Sequence, residues 1–351
     1  MNPPGPVSPA SRTSLRALED TPGRVGQARH RGRAWQAMGA LALVVGSYLS
    51  LSVGAADLTL SDLLRPDPGQ WQVITSSRIP RLAAILLAGS ALSVAGLIMQ
   101  RLTQNRFVSP STSGSVEAAV LGVLVATMLV DSPSLQTTMV SGIVCSIVAG
   151  AIFMRLLDAV HYRDPIIVAL VGLMYGGVIG AVTMFLALRA DLVQFIEIWT
   201  TGSFSGVLSG RYEPLYLVLA VGVVGYVFAD RFTVVGMGRD VAVSLGLSYR
   251  RILYLGLFVA CVMSAVVVVV VGVIPFLGLI VPNLVSLAMG DNLRHVLPVT
   301  ALVGAGFVLA CDVLGRVLNH PYEIPVATIA GSIGGIVFIW LVLATARGRQ
   351  A

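Results

Sequence analysis

The stretch LAAILLAGSALSVAGLIMQR, residues 82–101, contains a single charged residue, at its last position. About 20 apolar residues in an α-helix span the roughly 30 Å hydrocarbon core of a bilayer. Comparable apolar runs recur along the chain at 36–56, 82–101, 114–130, 137–157, 165–187, 212–229, 251–272, 277–290, 297–315 and 325–346. The pattern predicts an all-α polytopic membrane protein with about ten transmembrane helices.

The composition excludes several classes of protein. The 351 residues are 56% hydrophobic and 11% charged, whereas a soluble protein carries about 25% charged residues. All 23 basic residues are arginines, so the chain lacks the lysine that a P-loop or a pyridoxal Schiff base requires. Its cysteines and histidines show no metal-ligand spacing. We predict no catalytic residue and no metal site, and any ATP must be hydrolysed on a separate subunit.

The arginines predict the orientation. With ten spans and both termini cytoplasmic, 17 of the 23 arginines lie on the cytosolic side, as the positive-inside rule favours. If 266–289 were one helix, nine spans would result and the bias would weaken. Residues 1–34, rich in Pro, Arg and Ser, are predicted to form a disordered basic cytosolic arm, and residues 35–347 the transmembrane permease domain.

Five motifs, in order from about residue 40 to 345, resemble the FecCD family of ABC-importer permeases, which move iron–siderophore complexes, haem and vitamin B12. They are RIPR at 78–81 with a helix ending in Met99-Gln100, NRFVSP at 105–110 with Gly114, WTTGS at 199–203, GVIPFLGLIVP at 272–282, and Asp312…Arg316…Glu323-Ile324-Pro325.

The chain departs from the family pattern at three places. Asn105-Arg106 stands for the family's N-P, Pro282-Asn283 for P-H, and Ser286 for an arginine. These variants resemble the branch that serves catecholate or mixed-ligand siderophores such as anguibactin and petrobactin. The resemblance implies iron(III)-siderophore uptake, with haem or vitamin B12 as the alternative cargo.

The resemblance also implies a type II ABC-importer architecture in the bacterial cytoplasmic (inner) membrane. The implied partners are an ABC ATP-binding subunit that holds the ATP, a second permease, an extracytoplasmic siderophore-binding protein and membrane lipid; no nucleic acid is expected. Whether the second permease is identical or paralogous, whether the binding protein is periplasmic or lipid-anchored, and which siderophore is carried all stay open.

Three arginines at the predicted outer mouths of two spans, Arg78, Arg81 and Arg316, are candidates for docking the binding protein. The resemblance implies that they pair with its surface carboxylates, and the planar guanidinium suits bidentate binding of a carboxylate. Two alternatives are that they snorkel to lipid headgroups, and that Asp312, Glu323 and Arg316 neutralise one another.

The polar segment 231–251 is the candidate for ATPase coupling. Asp240–Gly246 is predicted to be a short helix with Asp240 in its first turn and Gly246 as its C-cap. Val241 and Leu245, four residues apart, share an apolar face that a solvated loop would not need. In the family this is the coupling helix, which assigns Arg239, Asp240, Val241, Leu245 and Gly246 to contact with the ATPase.

Candidates for the translocation path come from polar or broken sequence inside the spans. Glu117 is an intramembrane carboxylate, costly unless it faces a cavity or a partner; the alternatives are a structural hydrogen bond to a neighbouring helix and a position near the cytosolic end. Pro275 and two glycines interrupt a valine-rich run, which is tolerated only in buried or cavity-lining backbone. The predicted path residues are Gln100, Glu117, Pro275, Gly278, Pro282 and Asn283.

An ion-coupled secondary transporter is the competing functional class. Such a protein shows broken helices in two repeat halves and several intramembrane acids. Only Glu117 is clearly intramembrane in this sequence, which favours the importer. Small residues spaced four apart, as in Gly89/Ser93, Gly172/Gly176/Gly180 and Gly331/Gly335, predict close helix–helix contacts.

Overall fold

The structure is a computed structural model that describes residues 39, 43–52, 66–159, 165–319 and 322–348. The predicted arm at 1–34 lies outside these residues. Regular secondary structure in the described ranges is helical. In chain order the helices are α1 (Leu43–Ser52), α2 (Pro68–Leu102), α3 (Ser115–Leu129), α4 (Leu135–Ala159), α5 (Pro165–Arg189), α6 (Val193–Thr200), α7 (Tyr216–Val227), α8 (Ala229–Gly236), α9 (Arg239–Ser244), α10 (Tyr249–Val271), α11 (Leu277–Met289), α12 (Leu293–Val317) and α13 (Val326–Gly348).

The all-α polytopic fold is confirmed. Among the described residues, five helices are long and apolar enough to cross a membrane: α2, α4, α5, α10 and α12. A sixth is added if α7 with its preceding turn and α8, bent by 60°, count as one span. Shorter apolar helices lie at the remaining predicted runs, in α1, α3, α11 and α13. The total of ten spans and the cytoplasmic termini stay predictions.

Helices α2 and α10 form the centre of the bundle. In α2, 72% of the most apolar 18-residue stretch is buried inside the chain. The buried share of the corresponding stretch is 78% in α10 and 17% in α5. The valines at 266–271 in α10 favour a strand by propensity. They are helical because a membrane leaves a lone segment no other way to satisfy its backbone hydrogen bonds.

Glycines set the closest helix crossings. A Cβ atom on Gly96 of α2 would lie 1.8 Å from the carbonyl oxygen of Gly278, and one on Gly89 would lie 2.6 Å from that of Gly304 in α12. Neither backbone could approach so closely with a larger residue. By contrast, no described atom lies within 4 Å of a Cβ built on Gly180. The four-residue spacing of small residues therefore marks a close helix contact at Gly89 but not at Gly180.

Two short helices, α3 and α11, begin within the bundle. Gly278, in the first turn of α11, packs against Gly96 and against the Cδ atom of Pro110. Gly96 lies six residues before the end of α2, about 9 Å along the helix axis. The chain therefore re-enters the bundle between α2 and α3, and again between α10 and α11.

Candidate functional site

Four of the six predicted path residues meet in the first turns of α11, where Gly278 packs against α2 and Pro282 lies within the continuous helix. The Gln100 amide nitrogen donates a 3.2 Å hydrogen bond to the carbonyl oxygen of Leu279. The Asn283 amide nitrogen donates to the same oxygen at 2.7 Å and to the carbonyl oxygen of Arg106 at 2.8 Å. Both amides are buried, so they serve backbone acceptors that would otherwise be costly at this depth.

The departures from the family pattern are neighbours in space. Arg106 offers its carbonyl oxygen to Asn283, and Ser286 accepts a 3.3 Å hydrogen bond from Nη2 of Arg101. Asp291 lies 2.5 Å from Nη2 of Arg101 and 3.8 Å from Nη2 of Arg106. The departures therefore form one connected cluster at the predicted cytosolic end of α11, not three separate places.

The predicted break between α10 and α11 is present at 272–276. Its backbone pairs with the WTTGS motif: the N–H of Gly202 donates to the Val273 carbonyl oxygen at 3.1 Å, and the N–H of Val273 donates to the Trp199 carbonyl oxygen at 3.1 Å. Pro275 packs against α13. This pairing satisfies the polar groups of a non-helical segment inside the bundle.

Glu117 lies apart from the junction at α11. It occupies the first turn of α3 and faces α5, where a Cβ atom on Gly176 would be 3.5 Å from its carboxylate. Its Oε2 atom is buried and has no hydrogen-bond partner among the described residues. The structure therefore joins Gln100, Gly278, Pro282 and Asn283 and places Glu117 on the side of α5, the most exposed of the long helices.

Two of the three predicted docking arginines are buried. Arg78 is 8% exposed, and its Nη1 donates a 2.7 Å hydrogen bond to the carbonyl oxygen of Leu51 in α1. Arg316 is 4% exposed and donates at 2.9 Å to the carbonyl oxygen of Ser50. Both arginines therefore fasten α1 to the rest of the bundle.

Arg81 shares Asp312 with Arg316 and also binds a second acid, Glu323. Its Nη2 lies 2.8 Å from Oδ1 of Asp312, whose Oδ2 lies 2.5 Å from Nη2 of Arg316. Its Nη1 lies 2.8 Å from Oε1 of Glu323. The alternative drawn from the sequence, that Asp312, Glu323 and Arg316 neutralise one another, is seen for Asp312 and Arg316, whereas Glu323 pairs with Arg81. We call Arg78, Arg81, Asp312, Arg316 and Glu323 the outer charge cluster; its role in docking stays a prediction.

The motifs did not single out Arg211, which the structure places close to the cluster. The N–H of Ser209 donates a 2.9 Å hydrogen bond to the carbonyl oxygen of Ser76 in α2, so the loop at 209–211 lies beside the end of α2 that carries Arg78. Arg211 itself is exposed. The sequence contains one indication of this position, because the distribution of arginines along the chain assigns Arg211 to the outer side of the membrane.

The candidate coupling segment, 231–251, contains the short helix that the sequence predicted. Helix α9 ends in a Schellman motif, in which the N–H of Gly246 donates to Val243 and the N–H of Leu247 donates to Ala242, both at 2.9 Å. Gly246 adopts the left-handed conformation, with φ of 77°, which suits glycine.

Helix α9 leaves apolar side chains uncovered. Ala242 is buried against the bundle, whereas Val241 is 39% exposed and Leu245 is 63% exposed. Met237, just before the helix, is 63% exposed. Arg239 and Asp240 are exposed as well. Contact of this segment with an ATPase stays a prediction.

Comparison with known proteins places the chain among bacterial transport proteins. The FecCD transport family matches residues 42–344. The petrobactin import system permease protein YclN of Bacillus subtilis is 40% identical over 301 residues, which cover 86% of this chain and 95% of the relative. The ferric-anguibactin transport system permease protein FatD of Vibrio anguillarum is 39% identical, covering 85% and 95%.

A solved structure shares the fold. It is described as an inward-facing conformation of a metal-chelate type ABC transporter, and it superposes with a TM-score of 0.76 at 25% identity. The match covers 87% of this chain and 97% of that chain.

Proposed function

We propose the function of this chain from one established fact, that the chain belongs to the FecCD transport family. It is a multi-pass protein of the bacterial cytoplasmic membrane, and we assign it as the permease subunit of a binding-protein-dependent ABC importer. The observation that carries this assignment is the family match along nearly the whole helical domain, residues 42–344. Because the chain has no lysine, ATP hydrolysis is assigned to a separate P-loop subunit.

The proposed cargo is a ferric siderophore of the catecholate or mixed-ligand type. Two relatives near 40% identity are named for petrobactin and anguibactin. The departures at Arg106, Asn283 and Ser286 form one cluster beside the proposed path. The residues that resemble the petrobactin and anguibactin branch are therefore the ones that would change the lining of the path.

Uptake in a strain that lacks its own siderophore permeases tests the cargo. The strain would carry this chain with its cognate ATPase and binding protein, and would be offered a radioactive ferric catecholate, haem or vitamin B12. Accumulation of the ferric catecholate alone is expected. Accumulation of haem or vitamin B12 instead would overturn the cargo while leaving the permease assignment in place.

Coupling to the ATPase is assigned to α9 and its flanks, from Arg239 to Gly246. The exposed apolar side chains of Met237, Val241 and Leu245 would be buried in a groove of the ATP-binding subunit, which explains why a surface segment keeps them. The Schellman motif fixes the end of α9 and so holds Leu245 in a defined position.

Replacing Leu245 by Asp tests this contact. An unpaired charge buried at an interface costs several kcal/mol, so the ATPase should no longer co-purify and uptake should be lost. Ser248→Asp is the matched control: it adds the same charge three residues further on, at the N-cap of α10, where Asp is favoured. Loss of ATPase binding in both variants would show a general charge effect and refute the coupling assignment.

The translocation path is assigned to the junction around α11 and to Glu117. Gly278, Pro282 and Asn283 belong to a helix that starts inside the bundle, Gln100 contacts it from α2, and Pro275 precedes it. Glu117 holds a carboxylate beside the largely uncovered α5. We assign the exposed apolar side of α5 to contact with lipid and with a second permease chain, and the second chain would complete the wall of the path.

The outer charge cluster is assigned to docking of the extracytoplasmic binding protein. Its three arginines and two acids leave one positive charge in excess; on the neighbouring loop the charge of the exposed Arg211 is offset by Glu213, whose Oε1 accepts a 2.7 Å hydrogen bond from the N–H of Gly210. Positive potential at this end attracts an acidic partner and mainly raises its association rate. Within the cluster, Arg81 is the arginine with a partly exposed side chain, 15%.

A further inference from the structure

Arg81 holds two acids that differ in burial. Asp312 accepts hydrogen bonds from Nε and Nη2 of Arg81 at 3.2 and 2.8 Å, and its side chain is 0% exposed. Glu323 accepts from Nη1 at 2.8 Å, and its side chain is 34% exposed. The pair with Glu323 is therefore the part of the cluster that water and a partner protein can reach.

The two contacts also differ in strength. Asp312 is shared with Arg316, and removing one member of a buried charge network leaves an uncompensated charge in a medium of low dielectric constant. An exposed ion pair such as Arg81–Glu323 is weak and is easily exchanged for another. If Glu323 leaves, one positive charge at Nη1 of Arg81 becomes available for a carboxylate from outside.

We propose that Glu323 occupies the position at Nη1 of Arg81 that a surface carboxylate of the docked binding protein takes over. This inference rests on the docking role assigned above. The incoming acid replaces an equivalent acid, so the charge at Arg81 is balanced before and after docking. Glu323 therefore lowers the affinity for the partner and keeps Arg81 neutralised between docking events.

Glu323 belongs to a chain segment that is hydrogen-bonded, through the WTTGS motif, to the break between α10 and α11. Glu323 lies three residues before the start of α13. The N–H of Ala327 donates to the carbonyl oxygen of Gly202 at 3.1 Å, and the N–H of Gly202 donates to that of Val273 at 3.1 Å. The acid that leaves Arg81 thus sits on the chain segment that meets the WTTGS motif and, through it, the break before α11.

Binding of the cognate binding protein to the complete transporter in lipid nanodiscs, at low salt, tests the exchange. Glu323→Gln removes the competing charge and should tighten binding about two- to fivefold, the range expected for an exposed ion pair. Arg81→Gln should weaken binding. Glu197→Gln is the matched control, since Glu197 is an exposed acid in α6 that precedes the WTTGS motif and is predicted to lie on the same side.

Each outcome is decisive. Tighter binding by Glu323→Gln but not by Glu197→Gln supports the exchange. Equal tightening by both variants indicates a general electrostatic effect and overturns it. Unchanged or weaker binding by Glu323→Gln, with weakened binding by Arg81→Gln, overturns the exchange but keeps the docking role. If binding is indifferent to both Arg81 and Glu323, the docking assignment itself is wrong. Basal ATPase activity and a monodisperse elution profile of the Arg81→Gln transporter separate a misfolded variant from a true loss of docking.

Discussion

A single methyl group on Gly96 should disrupt the crossing of α2 and α11. The added Cβ atom would lie 1.8 Å from the carbonyl oxygen of Gly278 and 2.5 Å from its carbonyl carbon. An ordinary contact begins near 3.4 Å, so the two helices would have to separate by about 1.6 Å. The obstacle is backbone, which cannot rotate away as a flexible side chain can.

The magnitude follows from two opposing effects. Overpacking a close-packed interior costs about 1–3 kcal/mol, and a backbone obstacle places Gly96→Ala at the upper end of that range. Alanine is favoured over glycine in a helix interior by about 1 kcal/mol. The net expectation is a loss of about 2 kcal/mol in the free energy of unfolding, a large fraction of a typical total stability of about 5–15 kcal/mol.

Thermal stability of the purified transporter, followed by fluorescence-detected size exclusion after heating, measures this loss. Gly222→Ala is the control, because the nearest described atom to its added Cβ is the terminal methyl of Met263 at 3.8 Å. Gly96→Ala should melt several degrees lower than the wild type, and Gly222→Ala should melt at the same temperature or higher. Equal melting of all three proteins would refute the close crossing of α2 and α11.

Three further predictions concern charge and topology. Glu117→Gln keeps the shape of the side chain and removes its charge, so it should alter the rate or pH dependence of uptake with normal assembly; unchanged uptake would make Glu117 a structural residue. Arg316→Glu places a second carboxylate beside the buried Asp312 and should abolish stable expression, measured by the yield of monodisperse protein, so this variant cannot report on docking alone. Single cysteines in a cysteine-free background should be labelled by an impermeant maleimide from outside at Asp191 and only after permeabilisation at Arg239; the reverse pattern would contradict the predicted orientation.

Much of the fold could be predicted because apolar length alone marks a helix in a membrane. The run at 277–290 is too short to cross, and the sequence could not say whether it joined α10; the structure shows two helices separated at 272–276. Pro275 and the adjacent glycines supplied the local signal. The start of α11 within the bundle depends on packing against Gly96 and Pro110, which lie far away in sequence.

Helix α9, proposed to contact the ATPase, is another feature that local sequence determined well. Asp240 and Gly246 predicted a helix start and end, and α9 runs from Arg239 to Ser244 with Gly246 as its left-handed cap. The spacing of Val241 and Leu245 predicted an apolar face, and both side chains are exposed. The caps and the apolar face of a short helix depend on residues within about one turn of each other, and these can be identified from the sequence alone.

The sequence by itself determined that the chain is helical, where its apolar segments lie and which motifs it shares with a family, since these depend on composition and short spacings. Only the tertiary structure decided the partners of each charge. Arg81 and Asp312 are 231 residues apart in the chain and 2.8 Å apart in space, and Asn283 reaches the backbone of Arg106 across 177 residues. Arg78, Arg81 and Arg316, which topology and motif resemblance placed at an outer docking surface, are engaged with acids and carbonyl oxygens of their own chain. Charges brought into a bundle of low dielectric constant are stable only beside a partner.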